Sequence, residues 1–235
     1  MDELATWAQV FGLSLTVAQL DQFAAYESLL LAWNERIALT TIREPHDIRV
    51  RHFLDSLTCA TVTGPLDDLS LIDVGSGAGF PGLPLKILYP GLRLTLVDSV
   101  AKKARFLELV AAELGLQNVT VVVERAETLG RDSAFREQFD WATARAVAEL
   151  RILVEYLLPL CRVGGALLAQ KGESGTAEMA AAAEAIEQLG GGEPRISTIH
   201  LPGLERTHNL IIVPKIRATD DRYPRRPGIP TKRPL

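Results

Sequence analysis

Hydrophobic and polar positions change their period partway along the chain. Up to about residue 60 the apolar residues recur at helical spacing. Within residues 16–40, Val17, Leu20, Phe23, Leu30, Trp33 and Ile37 fall on a helix-like stripe, and Thr16 stands where a side-chain oxygen can cap the first turn. A second helix is predicted over residues 45–60, with Pro45 in its first turn, where a missing N–H costs nothing. Beyond Pro65, continuous Leu/Val/Ile runs alternate with amphipathic stretches. Strands are predicted at 69–75, 92–98, 119–125, 139–147 and 164–172, and helices at 81–90, 101–115, 149–161 and 174–190. Two more strands, 195–202 and 208–214, follow with no helix between them. Strands apolar throughout are what a sheet covered on both faces requires. The pattern predicts an α/β fold with a Rossmann-like, mostly parallel sheet, closed by a C-terminal antiparallel hairpin and preceded by a small helical region. It divides the chain into a helical cap (1–62), an α/β domain (63–214) and a tail (215–235).

The glycines of "DVGSGAGFPG" follow the first strand of the repeat, at the carboxyl end where open α/β sheets bind ligands. Glycine permits positive φ and removes the Cβ that would block a ligand. Asp98 ends the next strand, where its carboxylate can accept hydrogen bonds from both hydroxyls of a ribose. A dinucleotide is one candidate, because Gly77, Gly79 and Gly82 match G-x-G-x-x-G. The register argues against it: counted from the strand end at Gly75, the third glycine position is Phe80, and Phe80-Pro81 hampers close approach to a pyrophosphate. Asp73-Val-Gly75-Ser-Gly77-Ala-Gly79 instead reads as the loop that meets the methionine and ribose of S-adenosylmethionine (SAM). Arg125, Ala126 and Glu127, just past the third strand, suit the edge of an adenine ring; a solvated loop is the plainer alternative.

Charge refines the picture. The net charge is −4, but residues 215–235 hold seven Lys/Arg and two acids, a tail of +5 on a body of −9. Such a tail is either a phosphate-binding arm or a solubilising one. Hydrophobic residues make up 47%, enough for a folded core, and no apolar run reaches the length of a membrane span. The acidic start lacks a basic n-region, so no secretory signal is expected. Cys59 and Cys161 have no partner at metal-ligand spacing and read as buried thiols in a reducing cytosol; no metal is expected.

At the end of the fourth strand, enzymes that methylate exocyclic amines carry an Asn/Asp-Pro-Pro-aromatic motif; here the sequence is "TARAVAEL". Arg145 in that place suits a phosphate, a base acceptor, the cofactor carboxylate or an ion pair. A ring nitrogen such as guanine N7 carries no proton, needs no general base, and fits the missing motif.

Together, "WNERIALTTI", "RHFLDSL", "DVGSGAGFPGLPLKI", "LVDSVAKKARFL", "ERAE", "ARAVA", "QKG" and "YPRRPGIPTKRPL" resemble the RsmG family (also called GidB), bacterial small-subunit ribosomal RNA guanine-N7 methyltransferases. The resemblance runs from about residue 30 to the C-terminus, and "RHFLDS" and the tail are its most specific parts. It implies methyl transfer from SAM to a guanine N7 of 16S rRNA in the 30S subunit; a cytoplasmic location is expected, and nothing in the sequence demands more than a monomer. Gly75, Phe80, Ala126, Glu127 and Arg145 would contact SAM, with Gly77 and Gly79 in its loop and Asp98 at its ribose. Arg145 would orient substrate rather than act as a base. Ala38 departs from the family's usual Asn. For RNA, the candidates are His52, Lys171, Arg222, Arg225, Arg226, Lys232 and Arg233. His52 serves equally as a polar link between cap and sheet. Lys102, Lys103 and Arg105 open a helix near the cofactor end. Pro224, Pro227 and Pro230 are expected to keep the tail extended.

Overall fold

The computed structural model describes all 235 residues. Helices α1 (Asp2–Val10) and α2 (Val17–Asn34) open the chain. Thr16 caps α2 in a reciprocal box with Gln19, whose amide also donates to the Ile87 and Leu88 carbonyls at 2.9 and 3.1 Å. One side chain thereby starts α2 and satisfies the end of a helix of the sheet domain. Next, α3 (Pro45–Ile48) runs through a π-helical turn, Arg49–Leu54, into α4 (Asp55–Leu57), followed by α5 (Ala60–Thr63). The widened turn carries His52 and leads directly to Asp55; π turns of this kind recur at functional sites.

Alternating elements follow: β1 (Ser70–Val74), α6 (Gly82–Leu88), β2 (Arg93–Val97), α7 (Ala101–Glu113), β3 (Val119–Val122), α8 (Ala126–Leu129), β4 (Phe139–Arg145), α9 (Leu150–Leu157) and β5 (Cys161–Lys171). The chain continues through α10 (Gly175–Ala181), α11 (Ala183–Gln188), β6 (Arg195–Ile199), β7 (His208–Pro214) and α12 (Ile229–Lys232). The sheet order is β3-β2-β1-β4-β5-β7-β6. The first five strands are parallel, and β7 pairs antiparallel with both β5 and β6. The expected α/β sheet with an antiparallel C-terminal end is therefore present, with the last strand inserted inside the edge.

Each face of the sheet is covered by a core. One holds Leu94, Leu96 and Phe106 together with Leu4, Phe23, Tyr26 and Phe53 of the N-terminal helices, so cap and sheet share one interior. The other joins α9, α11 and Tyr223 of the tail. Cys59 and Cys161 are free and buried, and burial pushes the Cys161 thiol up to about 12. No helix is long and apolar enough to cross a membrane.

Three expectations change. The Ala-rich stretch 174–190 is two short helices, broken at buried Ala182, whose N–H is shared by the Glu178 and Met179 carbonyls. The third strand ends at Val122, and the residues after it leave the sheet to line a cavity. The tail is not an extended arm. Arg136 donates to the Thr219 and Tyr223 carbonyls at 2.6 and 2.7 Å, Arg131 donates to that of Pro224 at 2.7 Å, and Tyr223 and Pro224 are buried. Buried Lys215 anchors the start of this segment, donating to the Leu158 carbonyl at 2.6 Å with Glu137 at 3.2 Å.

Candidate active site

Residues 75–81 link β1 to α6 across the carboxyl ends of the parallel strands. Gly75 has φ +71°, and a Cβ there would stand 2.6 Å from Val147 Cγ2. Gly79 has φ +99°, and a Cβ would stand 2.6 Å from the Tyr26 hydroxyl, which donates to the Ala78 carbonyl. Only glycine fits either place, by conformation and by space. Beneath the loop, Asp73 is fully buried; Oδ2 accepts the Gly82 N–H at 2.9 Å and Oδ1 has no partner. Burial pushes its carboxyl up to about 8, against the opposing pull of that N–H.

Three cavities meet here. The first, about 170 Å³, lies between Gly75, Asp98, Ala126, Glu127, Val147 and Tyr156. Asp98 accepts the Gly77 N–H at 3.0 Å on Oδ2 and the Val100 N–H at 2.8 Å on Oδ1. Each oxygen keeps a lone pair, so the carboxylate is fixed in place and still able to accept two hydroxyls. Glu127 is 3% exposed, and its Oε1 accepts the Gly228 N–H at 2.9 Å. The second cavity, about 260 Å³, shares Gly75 and adds Gly77, Phe80, Lys103, His52 and Arg145. The third, about 350 Å³, shares His52 and Arg145 and adds Arg51, Asp55, Gln170, Lys171 and His208. Shared residues make these one cleft: a narrow end with two carboxylates, a middle along the bare loop backbone, and a wide polar end.

Arg145 forms the divide. Nη1 donates to Asp55 Oδ2 at 3.0 Å, Nη2 lies 3.1 Å from His52 Nδ1, and the guanidinium stands 4.8 Å from the centre of the Phe80 ring. Arginine only donates, so Nδ1 accepts, the proton is on Nε2, and Nε2 donates to Thr40 Oγ1 at 2.8 Å. The imidazole stacks on Phe80 at 4.5 Å between centroids. Burial, then the Arg145 charge, lowers the His52 pKa to about 3, so the ring is neutral. Asp55 is held further by Gln170 Nε2 at 3.2 Å, and His208 Nδ1 lies 3.1 Å from Oδ1, out of line for a hydrogen bond. The next residue, Ala146, has φ +57°, a strained conformation that turns the chain so that Val147 covers Gly75.

The structure thus brings Gly75, Gly77, Phe80, Asp98, Ala126, Glu127, Arg145 and His52 into one cleft, while Gly79 packs behind the loop against Tyr26. Lys171 lines the wide end, but its ammonium is committed to Glu178 at 2.7 Å and to the Ala148 carbonyl. Arg225 is likewise committed: its Nη2 lies 2.6 Å from Glu155, which is fully buried. Arg222, Arg226, Lys232 and Arg233 are exposed. Four further lining residues have no role assigned from sequence: Val147 and Gln170 stand inside the quoted motifs "ARAVA" and "QKG", while Tyr156 lies in an apolar run and His208 opens one, with no local signal.

The family model described as "GidB: rRNA small subunit methyltransferase G" matches residues 19–208. The chain belongs to the rRNA small subunit methyltransferase G family. A Roseiflexus castenholzii protein named ribosomal RNA small subunit methyltransferase G is 52% identical over 235 residues, covering all of both chains. One of the same name from Chloroflexus aggregans is 51% identical over 227 residues, 96% of this chain and 94% of its own. Among solved structures, an Agrobacterium tumefaciens protein described as a predicted O-methyltransferase matches with TM-score 0.55 at 20% identity, over 71% of this chain and 81% of its own. A 16S rRNA (adenine(1408)-N(1))-methyltransferase from Catenulisporales acidiphilia matches with TM-score 0.54 at 16% identity, over 66% and 88%. At these identities the two structures speak for the fold alone. As a member of this methyltransferase family the chain uses SAM, and the cleft fits it. Two partly free carboxylates, Asp98 and Glu127, line the first cavity, and the Gly75–Gly77 backbone lines the second.

Proposed function

We propose that this family member transfers the methyl group of SAM to N7 of a guanine in 16S rRNA. The observation that carries the choice of acceptor is the state of His52. Its one lone pair is spent on Arg145 and its N–H on Thr40, so the imidazole at the junction of the two halves of the cleft has no capacity to take a proton. A guanine N7 has no proton to lose and asks nothing of this imidazole. Catalysis then rests on alignment, which in well-oriented systems supplies roughly 7–11 kcal/mol.

Bound SAM supplies an electrophilic methyl group on a positively charged sulfur. Asp98 and Glu127 hold the nucleoside half, and the Gly75–Gly77 backbone meets the amino-acid half. Arg145, clamped by Asp55 and His52 and stacked on Phe80, forms a rigid wall that orients the target base. That base must be splayed from its helix, because the A-form major groove hides N7. Arg222, Arg226, Lys232 and Arg233 contact phosphates, which give affinity and not base choice. Lys171 and Arg225 act through their ion pairs instead. Incubating the protein with methyl-labelled SAM and undermethylated small subunits tests the reading: label in 16S rRNA supports it, and no label in any RNA form sinks it.

A further inference from the structure

The tail touches the body at three-residue intervals. Arg225 donates to Glu155 through its backbone N–H at 2.7 Å and through Nε and Nη2 at 2.9 and 2.6 Å. Gly228 N–H donates to Glu127 Oε1 at 2.9 Å, and the Thr231 hydroxyl lies 2.9 Å from the Tyr156 hydroxyl. Glu127 and Tyr156 both line the nucleoside cavity. They belong to α8 and α9, and the tail braces both: a Cβ on Gly130, which ends α8, would stand 2.8 Å from Pro224 Cγ. The Gly228 N–H is the protein's hydrogen bond to the Glu127 carboxylate, and it leaves Oε2 for a ligand.

We propose that Gly228 and Thr231 are positioning residues of the SAM site. The C-terminal segment sets the orientation of Glu127 and Tyr156, so a stretch that reads as an RNA arm is also an outer brace of the cofactor cavity. The segment carrying exposed Arg226, Lys232 and Arg233 and the wall of the nucleoside cavity form one packed unit. Gly228 offers a clean probe. Its φ is +81° and nothing lies within 4 Å of the place a Cβ would take, so backbone conformation alone constrains it. Asn tolerates that conformation and β-branched Val does not.

The test uses the full chain with Gly228→Val, Gly228→Asn, Thr231→Val and Thr231→Ser. SAM and S-adenosylhomocysteine binding are measured by calorimetry, KM for SAM and kcat by methyl transfer, and folding by thermal melts. Gly228→Val should weaken SAM binding about 5- to 10-fold, and Gly228→Asn should stay within about two-fold of wild type. Thr231→Val should raise the KM for SAM about two- to four-fold with kcat nearly unchanged, and Thr231→Ser should restore it. A lowered melting temperature with unchanged SAM affinity in Gly228→Val would assign the tail a structural role only and overturn the proposal. So would equal weakening by Thr231→Val and Thr231→Ser. If Gly228→Val does not fold, the Thr231 pair decides alone.

Discussion

Replacing His52 with Gln should flatten the acid limb of the protein's stability. His52 is 9% exposed, and burial, followed by the Arg145 charge, lowers its pKa from 6.5 to about 3. Asp55 and a hydrogen bond to the Arg51 backbone pull the other way without restoring it, and the Arg51 charge adds a smaller push down. The folded protein therefore refuses a proton that the unfolded chain accepts below pH 6.5. The unfolded state binds more protons in this window, so stability is complete above pH 6.5 and is lost as pH falls toward 3. At roughly 1.4 kcal/mol per pH unit the whole span is worth about 5 kcal/mol. Between about pH 6.5 and 4.5, where the native state can be measured, the expected loss through this one ring is ~2–3 kcal/mol. Gln has no titration of its own. The stacking on Phe80 and the bond from Arg145 that it forfeits shift the curve by a constant and leave its slope alone. Urea unfolding at half-unit pH steps, compared between wild type and His52→Gln, reads the difference, since other carboxylates titrate in both. Parallel curves would refute the argument, as would an imidazole resonance of His52 titrating near its ordinary pKa.

Gly75→Asp should lower SAM affinity by roughly 100-fold or more, because it adds a Cβ 2.6 Å from Val147 Cγ2 on a residue at φ +71°; calorimetry alongside circular dichroism separates this from unfolding. Arg225→Ala strands fully buried Glu155 and should cost about 3–5 kcal/mol in urea unfolding; a loss below about 1 kcal/mol would show that the carboxylate finds another partner. The double substitution Lys232→Glu/Arg233→Glu should weaken RNA binding and reduce the log–log salt slope by roughly 2, with folding stability unchanged; an unaltered slope would remove both from the phosphate-binding set.

What the sequence reveals here is what local physics decides. The apolar runs of β1 to β5, the Thr16–Gln19 cap and the glycine loop each depend on neighbours a few residues apart, and their spacing announces them. The centre of the site depends on distant partners. Arg145 meets His52 and Asp55 across 93 and 90 residues of chain, so its reading stays open among phosphate, base, cofactor and ion pair until the fold closes. Arg225 and Arg226 are adjacent and identical in type; only the buried Glu155, 70 residues away, separates an anchor from an exposed charge. Prolines that promise an extended tail are compatible with one folded onto α8 and α9, because the carbonyls of Thr219, Arg222, Tyr223 and Pro224 find Arg131 and Arg136 as donors. Tyr156 lies in the apolar pattern of α9 and reads as core, which its ring largely is; its hydroxyl alone reaches the tail.

The atom that receives the methyl group can be read directly. Undermethylated small subunits treated with the protein and methyl-labelled SAM, then digested to nucleosides and resolved by chromatography with mass detection, give the answer. Label from 16S rRNA is expected in N7-methylguanosine, and in that nucleoside alone. Label in a guanosine or adenosine methylated on an exocyclic amine would contradict it, because that acceptor must lose a proton at a junction where His52 has none of its lone pair to give.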